Sequence, residues 1–129
     1  MRYSTIFIVA GLLCLLVGEG FGIWMSQSPD RFPLHPAHAH LNLAGWVTLA
    51  LYGLIHHAFP NLGKARLAPI QCALAIFGAI VMPVGILIAI TSGEQNVTWA
   101  IVGSLGVLLG TLLFAIMFTG KVAMSKEVK

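Results

Sequence analysis

Four apolar runs, over about residues 3–25, 37–59, 67–91 and 97–120, take up most of this chain. As helices, each is long enough to cross a hydrocarbon layer of about 30 Å. The composition agrees: 58% of residues are hydrophobic and 9% are charged, against about 25% charged in typical soluble proteins. So few charges cannot cover a water-facing surface. The expected fold is all-α, a single domain over residues 1–129 forming an integral-membrane four-helix bundle. Short links favour antiparallel neighbours, hence an up-down arrangement.

The first run follows Arg2 and could pass for a signal peptide. It is too long for the apolar core of one, and no small-residue cleavage site follows before Ser26-Gln-Ser-Pro-Asp30. It is expected to be a retained helix. Pro29 and Pro33 should keep residues 26–36 from being helical. Pro36 suits the first turn of the second helix, which leaves His35 at or just before its N-cap. Pro83 should kink the third helix. Gly106 and Gly110 give the fourth helix a small-xxx-small face, and Gly18, Gly20 and Gly22 allow close approach to the first.

The basic residues report orientation. If four helices alternate, Arg2, Lys64, Arg66, Lys121, Lys126 and Lys129 fall on one side and Arg31 alone on the other. By the positive-inside rule both termini are cytoplasmic. The loops holding His35 and Glu94 then face outward, which is the periplasm if the membrane is a bacterial inner (plasma) membrane. The basic residues are scattered without interleaved aromatics, so nucleic acid is not an expected partner. Cys14 and Cys72 both fall inside apolar runs, where a disulfide framework is not expected.

All the histidines lie between His35 and His57, in two groups: His35, His38 and His40 at one end of the second run, His56 and His57 at the other. On a wheel of about 100° per residue, His38, Asn42, Gly45, Leu49, Tyr52 and His56 form one stripe. It is mostly small or polar, so it should face the bundle and not lipid. His40 lies about 160° from His38 on that wheel, so the two cannot both point at one metal from a regular helix. His35 and His38 could share a face. His38 and His56 are about 27 Å apart at a rise of 1.5 Å per residue, near opposite membrane surfaces.

Imidazole suits iron, copper, zinc and nickel and is a common axial ligand of haem. The outward end also offers Glu19, an ionisable group deep in the first helix, with Met25 and Trp24. The candidate metal ligands are therefore His38, His40, His35, Glu19 and Met25. At a helix end, His56 and His57 are expected to sit in the interface with their polar tips in headgroup water, though they could form a second site. Tyr52 reads as a hydrogen bond within the bundle, and Met82 as core packing.

The stretch His35-Pro-Ala-His-Ala-His-Leu-Asn-Leu-Ala-Gly-Trp-Val-Thr-Leu-Ala-Leu-Tyr-Gly53 resembles a family of short bacterial membrane proteins. These are stand-alone relatives of subunit I of haem–copper oxidases and nitric oxide reductases (the cytochrome oxidase subunit I-like family). The likeness extends over nearly the whole chain. A Glu-containing first helix, this motif, a basic link, a Met-Pro third helix and a glycine-rich fourth follow in the same order. The resemblance implies a haem b-binding helical bundle with His38 and His40 as leading axial ligands and His35 as a possible third. Full oxidase subunits draw haem and copper ligands from several helices, whereas every histidine here lies on or next to one. An oxidase activity of this chain alone is therefore not expected.

The expected function is electron transfer or small-gas binding by haem at the outward side, with a redox partner protein. Two ligands on opposite faces of one haem would need a second chain, a methionine such as Met25 or Met82, or an open position. A homo-oligomer is expected on that ground. The alternatives are a copper or other metal-binding membrane protein for transport or delivery, and a cofactor-free structural or assembly subunit.

Overall fold

The computed structural model describes residues 2–93 and 96–126, the side chains of 121–126 excepted. The Glu94 loop and Lys129 of the orientation argument therefore lie outside the described residues, as do the side chains of Lys121 and Lys126. The fold is all-helical, in four main helices. α1 spans Tyr3–Ser26. α2 runs over residues 35–58 as three joined segments: an α-helix His35–His40, a π-helix Leu41–Val47 and an α-helix Thr48–Ala58. α3 spans Ala68–Thr91 and α4 Thr98–Lys126. α1, α3 and residues 98–120 of α4 are long and apolar enough to cross a membrane. Their outer faces carry bare leucines, such as Leu16 on α1 and Leu108 on α4. Exposed apolar surface on this scale suits lipid and not water; the chain is a membrane protein.

α2 departs from the regular helix expected of it. Its π segment divides it, and no regular piece exceeds 11 residues, so α2 is not one of the helices that qualify to cross by length and apolarity. One local bond pair and one tertiary contact accompany the wide turn. The Thr48 amide and hydroxyl both return to the Leu43 carbonyl five residues back, the hydroxyl at 2.9 Å. Gly45 lies against Cys14 of α1, where a Cβ would come within 2.8 Å of the Cys14 Cβ.

The loop before α2 also differs from expectation. Residues Pro29–Leu34 form a 3-10 helix, with Pro29 in its first turn and Pro33 inside. Proline's fixed φ of about −65° is that of a 3-10 turn, and so short a turn makes few demands on the missing N–H. His35 opens α2 as its first residue. Pro83 is buried inside α3, which continues through it to Thr91. Gly93 follows with φ 74°, the left-handed conformation that commonly ends a helix.

The helices form two antiparallel hairpins. α3 and α4 meet backbone to backbone: Gly78 lies on Gly106 and Val107, Gly85 on Trp99 and Ala100, Gly103 on Met82, Gly110 on Ala75. This is the small-residue packing expected of Gly106 and Gly110, extended over the length of the seam. α1 and α2 pair through larger side chains. Gly22 faces His38, Gly18 faces Asn42, Gly11 faces Trp46, and Gly53 faces Ser4 and Ile8, while Gly20 faces open space. Phe7, Cys14, Leu49, Tyr52, Cys72, Ala75 and Ala79 make the core between the hairpins. Both cysteines are free and buried there.

Candidate functional site

The polar stripe of α2 faces inward along its whole length. Gly45, Leu49, Tyr52 and His56 are buried, and His38 and Asn42 half-buried. Beyond the wide turn its targets change. Gly53 makes the close approach to α1, and Tyr52 reaches the other hairpin, its hydroxyl 2.8 Å from Thr111 Oγ1. The Tyr52 ring lies 4.4 Å from that of Phe114, also on α4. This is the bundle hydrogen bond expected of Tyr52.

At the outward end the three histidines go three ways. His38 is wedged against α1: a Cβ on Gly22 would sit 2.8 Å from its Cε1, and its ring lies 6.2 Å from Phe21. The Asn42 amide donates to the His38 carbonyl at 3.2 Å and sits 3.3 and 3.5 Å from the two ring nitrogens. It is aimed at neither ring nitrogen in particular. Asn42 Oδ1 is buried without a partner. The α-helix reaches back to His35, one turn before His38, but the His35 side chain is exposed and its ring stacks on Phe32 at 5.3 Å.

His40 is exposed, and its Nδ1 lies 2.7 Å from the Pro36 carbonyl. A carbonyl only accepts, so the hydrogen is on Nδ1, and in the neutral ring the lone pair is on Nε2. A backbone carbonyl commonly sets a metal-binding imidazole in this way. Glu19 is exposed on α1 and Met25 is buried near its end. Arg31, the cation of this end, lies 4.1 Å over the Trp24 ring and donates Nη1 to the Trp24 carbonyl at 2.6 Å. It is thereby committed to the C-terminal turn of α1.

Among the described residues, no three of His, Cys, Asp and Glu come together to hold a metal ion. His35, His38, His40 and Glu19 therefore do not meet in one site within the chain. A groove of about 510 Å³ opens between α1, α2 and α3, walled by Cys14, Phe21, Ala37, Leu41, Pro83 and Leu87 among others. No imidazole lines it, so it offers a haem no axial histidine. The described residues form no metal cage within one chain, and His40 presents its exposed imidazole singly.

The inner end differs from expectation. His57 is exposed, but His56 is buried and not in headgroup water. Its ring is surrounded by those of Tyr3, Phe7 and Phe114 at 6.0, 5.5 and 6.1 Å. Neither ring nitrogen has a hydrogen-bond partner. Beside it lies the Gln71 amide, fully buried on α3, with both its atoms unpartnered as well. Gln71 is not among the residues that the sequence patterns single out. The available signal was a lone amide in the first turn of an otherwise apolar helix.

No protein-family model, curated protein or solved structure matches this chain.

Proposed function

We propose that this is a four-helix inner-membrane protein with both termini cytoplasmic that binds haem b at its outward side. His40 is the ligand, and a second copy of the chain completes the site. The observation that carries this reading is the exposed imidazole of His40, its tautomer set by the Pro36 carbonyl. A second observation supports the oligomer. Glu19 lies about 10 Å of helix rise from the end of α1, and His40 about 8 Å from the start of α2. They are at nearly the same depth, and both are exposed. An ionisable group left bare to hydrocarbon is costly, and a second copy would cover it. The continuous helical path of residues 35–58 has 24 residues, enough to cross with the other three helices. Arg2, Lys64 and Arg66 at one end, against Arg31 at the other, support the orientation.

On this reading His40 holds the cofactor, Pro36 holds the His40 proton on Nδ1, and Glu19 of the neighbouring copy balances charge. His38 is a packing residue between α1 and α2. Haem bound there would supply one-electron chemistry or an open position for a small gas. The test is an optical spectrum, oxidised and then dithionite-reduced, of protein purified from its own membranes in mild detergent. Stoichiometric haem that is lost in His40→Ala and kept in His38→Ala is the expected result. A colourless protein would sink the haem reading, and elemental analysis would then decide for or against copper. A monomer with fully low-spin bis-histidine haem would refute the shared site.

A further inference from the structure

The end of the bundle opposite His40 carries a cavity that the reading above does not use. It has a volume of about 380 Å³ and is lined by Arg2, Tyr3 and Ser4 at the start of α1, His56 and His57 at the end of α2, and Lys64 in the link. Among the described residues, no carboxylate lines it. Arg2 and Lys64 are exposed at its mouth. α1 begins here: the amides of Thr5 and Ile6 both return to the Arg2 carbonyl, and no side chain caps the helix. The amides of a first helical turn and the dipole behind them favour an anion.

A helix start and two cations do not make a site by themselves. His56 adds an independent observation. It forms part of the cavity wall, is 4% exposed, and has no partner at either ring nitrogen. A buried imidazole without a hydrogen bond is costly, because its donor has given up water for nothing. An acceptor-rich anion in the cavity would offer an acceptor to Arg2, Lys64, the uncapped start of α1 and the unpartnered His56. We infer that this cavity binds a phosphate group, either free phosphate or the headgroup phosphate of an anionic lipid.

The test uses the full chain in mild detergent at fixed ionic strength, with the thermal unfolding midpoint followed as probe is added. The probes are inorganic phosphate, short-chain phosphatidylglycerol and short-chain phosphatidylcholine, with chloride as the control. Phosphatidylglycerol should raise the midpoint by several degrees while phosphatidylcholine and chloride do not. A matching rise with inorganic phosphate assigns the site to the free anion, and no rise with it assigns the site to a lipid headgroup. In Arg2→Gln/Lys64→Gln the apparent affinity should fall about ten-fold or more. Arg66→Gln, whose side chain does not line the cavity, should leave the response unchanged. The ¹⁵N-histidine signal of His56 should move with the probe while that of His40 stays. The inference is overturned if no phosphate-bearing probe exceeds chloride, if the double variant responds like the parent, or if the midpoint rises while the His56 signal does not move.

Discussion

Replacing Gly78 by alanine should pry the α3–α4 hairpin apart, and the geometry sets the size of the effect. A Cβ at Gly78 would lie 2.7 Å from the Gly106 carbonyl carbon and 2.8 Å from the Gly103 carbonyl oxygen, with the Val107 amide nitrogen nearer still. All three are backbone atoms, so no rotamer change relieves the clash. Moving the Gly106 carbonyl carbon alone from 2.7 Å to the 3.4 Å at which ordinary contacts begin parts the helices by about 0.7 Å, and the nearer Val107 amide demands more. A gap of that size forfeits between about a quarter and a half of the dispersion energy of each contact it opens. Overpacking costs about 1–3 kcal/mol in general, and a clash with backbone alone belongs at the upper end, about 3 kcal/mol. Gly106→Ala provides an internal scale. Its nearest neighbour would be the Gly78 Cα at 3.0 Å, so the cost should be about 1 kcal/mol. Gly20→Ala meets nothing within 4 Å and should be neutral or slightly stabilising, alanine being the better helix former. The assay is equilibrium unfolding in mixed micelles, followed by tryptophan fluorescence, with the three variants side by side. If Gly78→Ala unfolds at the midpoint of Gly20→Ala, the backbone seam is not what holds this hairpin.

Three further substitutions test other parts of the bundle. Tyr52→Phe removes the bond to Thr111 and should cost about 1 kcal/mol, read as a lower thermal midpoint. Gln71→Met removes a buried amide with two unpartnered atoms at similar volume and should raise stability by about 1 kcal/mol; a fall would show that the amide is bonded, with His56 the neighbour at hand. Gly93→Ala must hold φ 74° with a side chain and should cost about 1–2 kcal/mol in the same thermal assay.

Much of this was readable from the sequence, for identifiable reasons. The inward stripe from His38 to His56 follows from helical periodicity, and the seam through Gly106 and Gly110 from small residues at a spacing of four. The opposite directions of His38 and His40 also follow from the wheel, because residues 35–40 are regular α-helix. The π segment was not readable. Leu41–Val47 contains no proline, and its i−5 bonding depends on tertiary contacts such as that of Gly45 with Cys14. Nor was the burial of His56. Counting from the helix end puts it at the interface, but Pro60–Lys64 continues as a 3-10 helix with Leu62 fully buried. Tyr3 and Phe114 then close over the imidazole.

The two hairpins are built differently, and the difference divides stability from function. α3 and α4 are held by backbone contact through glycines, and Gln71 is the one buried polar side chain among their described residues. α1 and α2 meet through polar side chains, Asn42 and His38 against glycines. α2 alone carries a π segment, and such segments are frequent at functional sites. On the proposed reading the first hairpin is the working element and the second its support. Substitutions should dissociate accordingly. His40→Ala, an exposed residue whose side chain bonds only the carbonyl of its own helix turn, should abolish the haem spectrum while leaving the unfolding midpoint of the haem-free protein nearly unchanged. Gly106→Ala should lower the midpoint and leave the spectrum of the folded protein intact. A folded Gly106→Ala protein without the spectrum would place part of the site on the α3–α4 hairpin and refute this division.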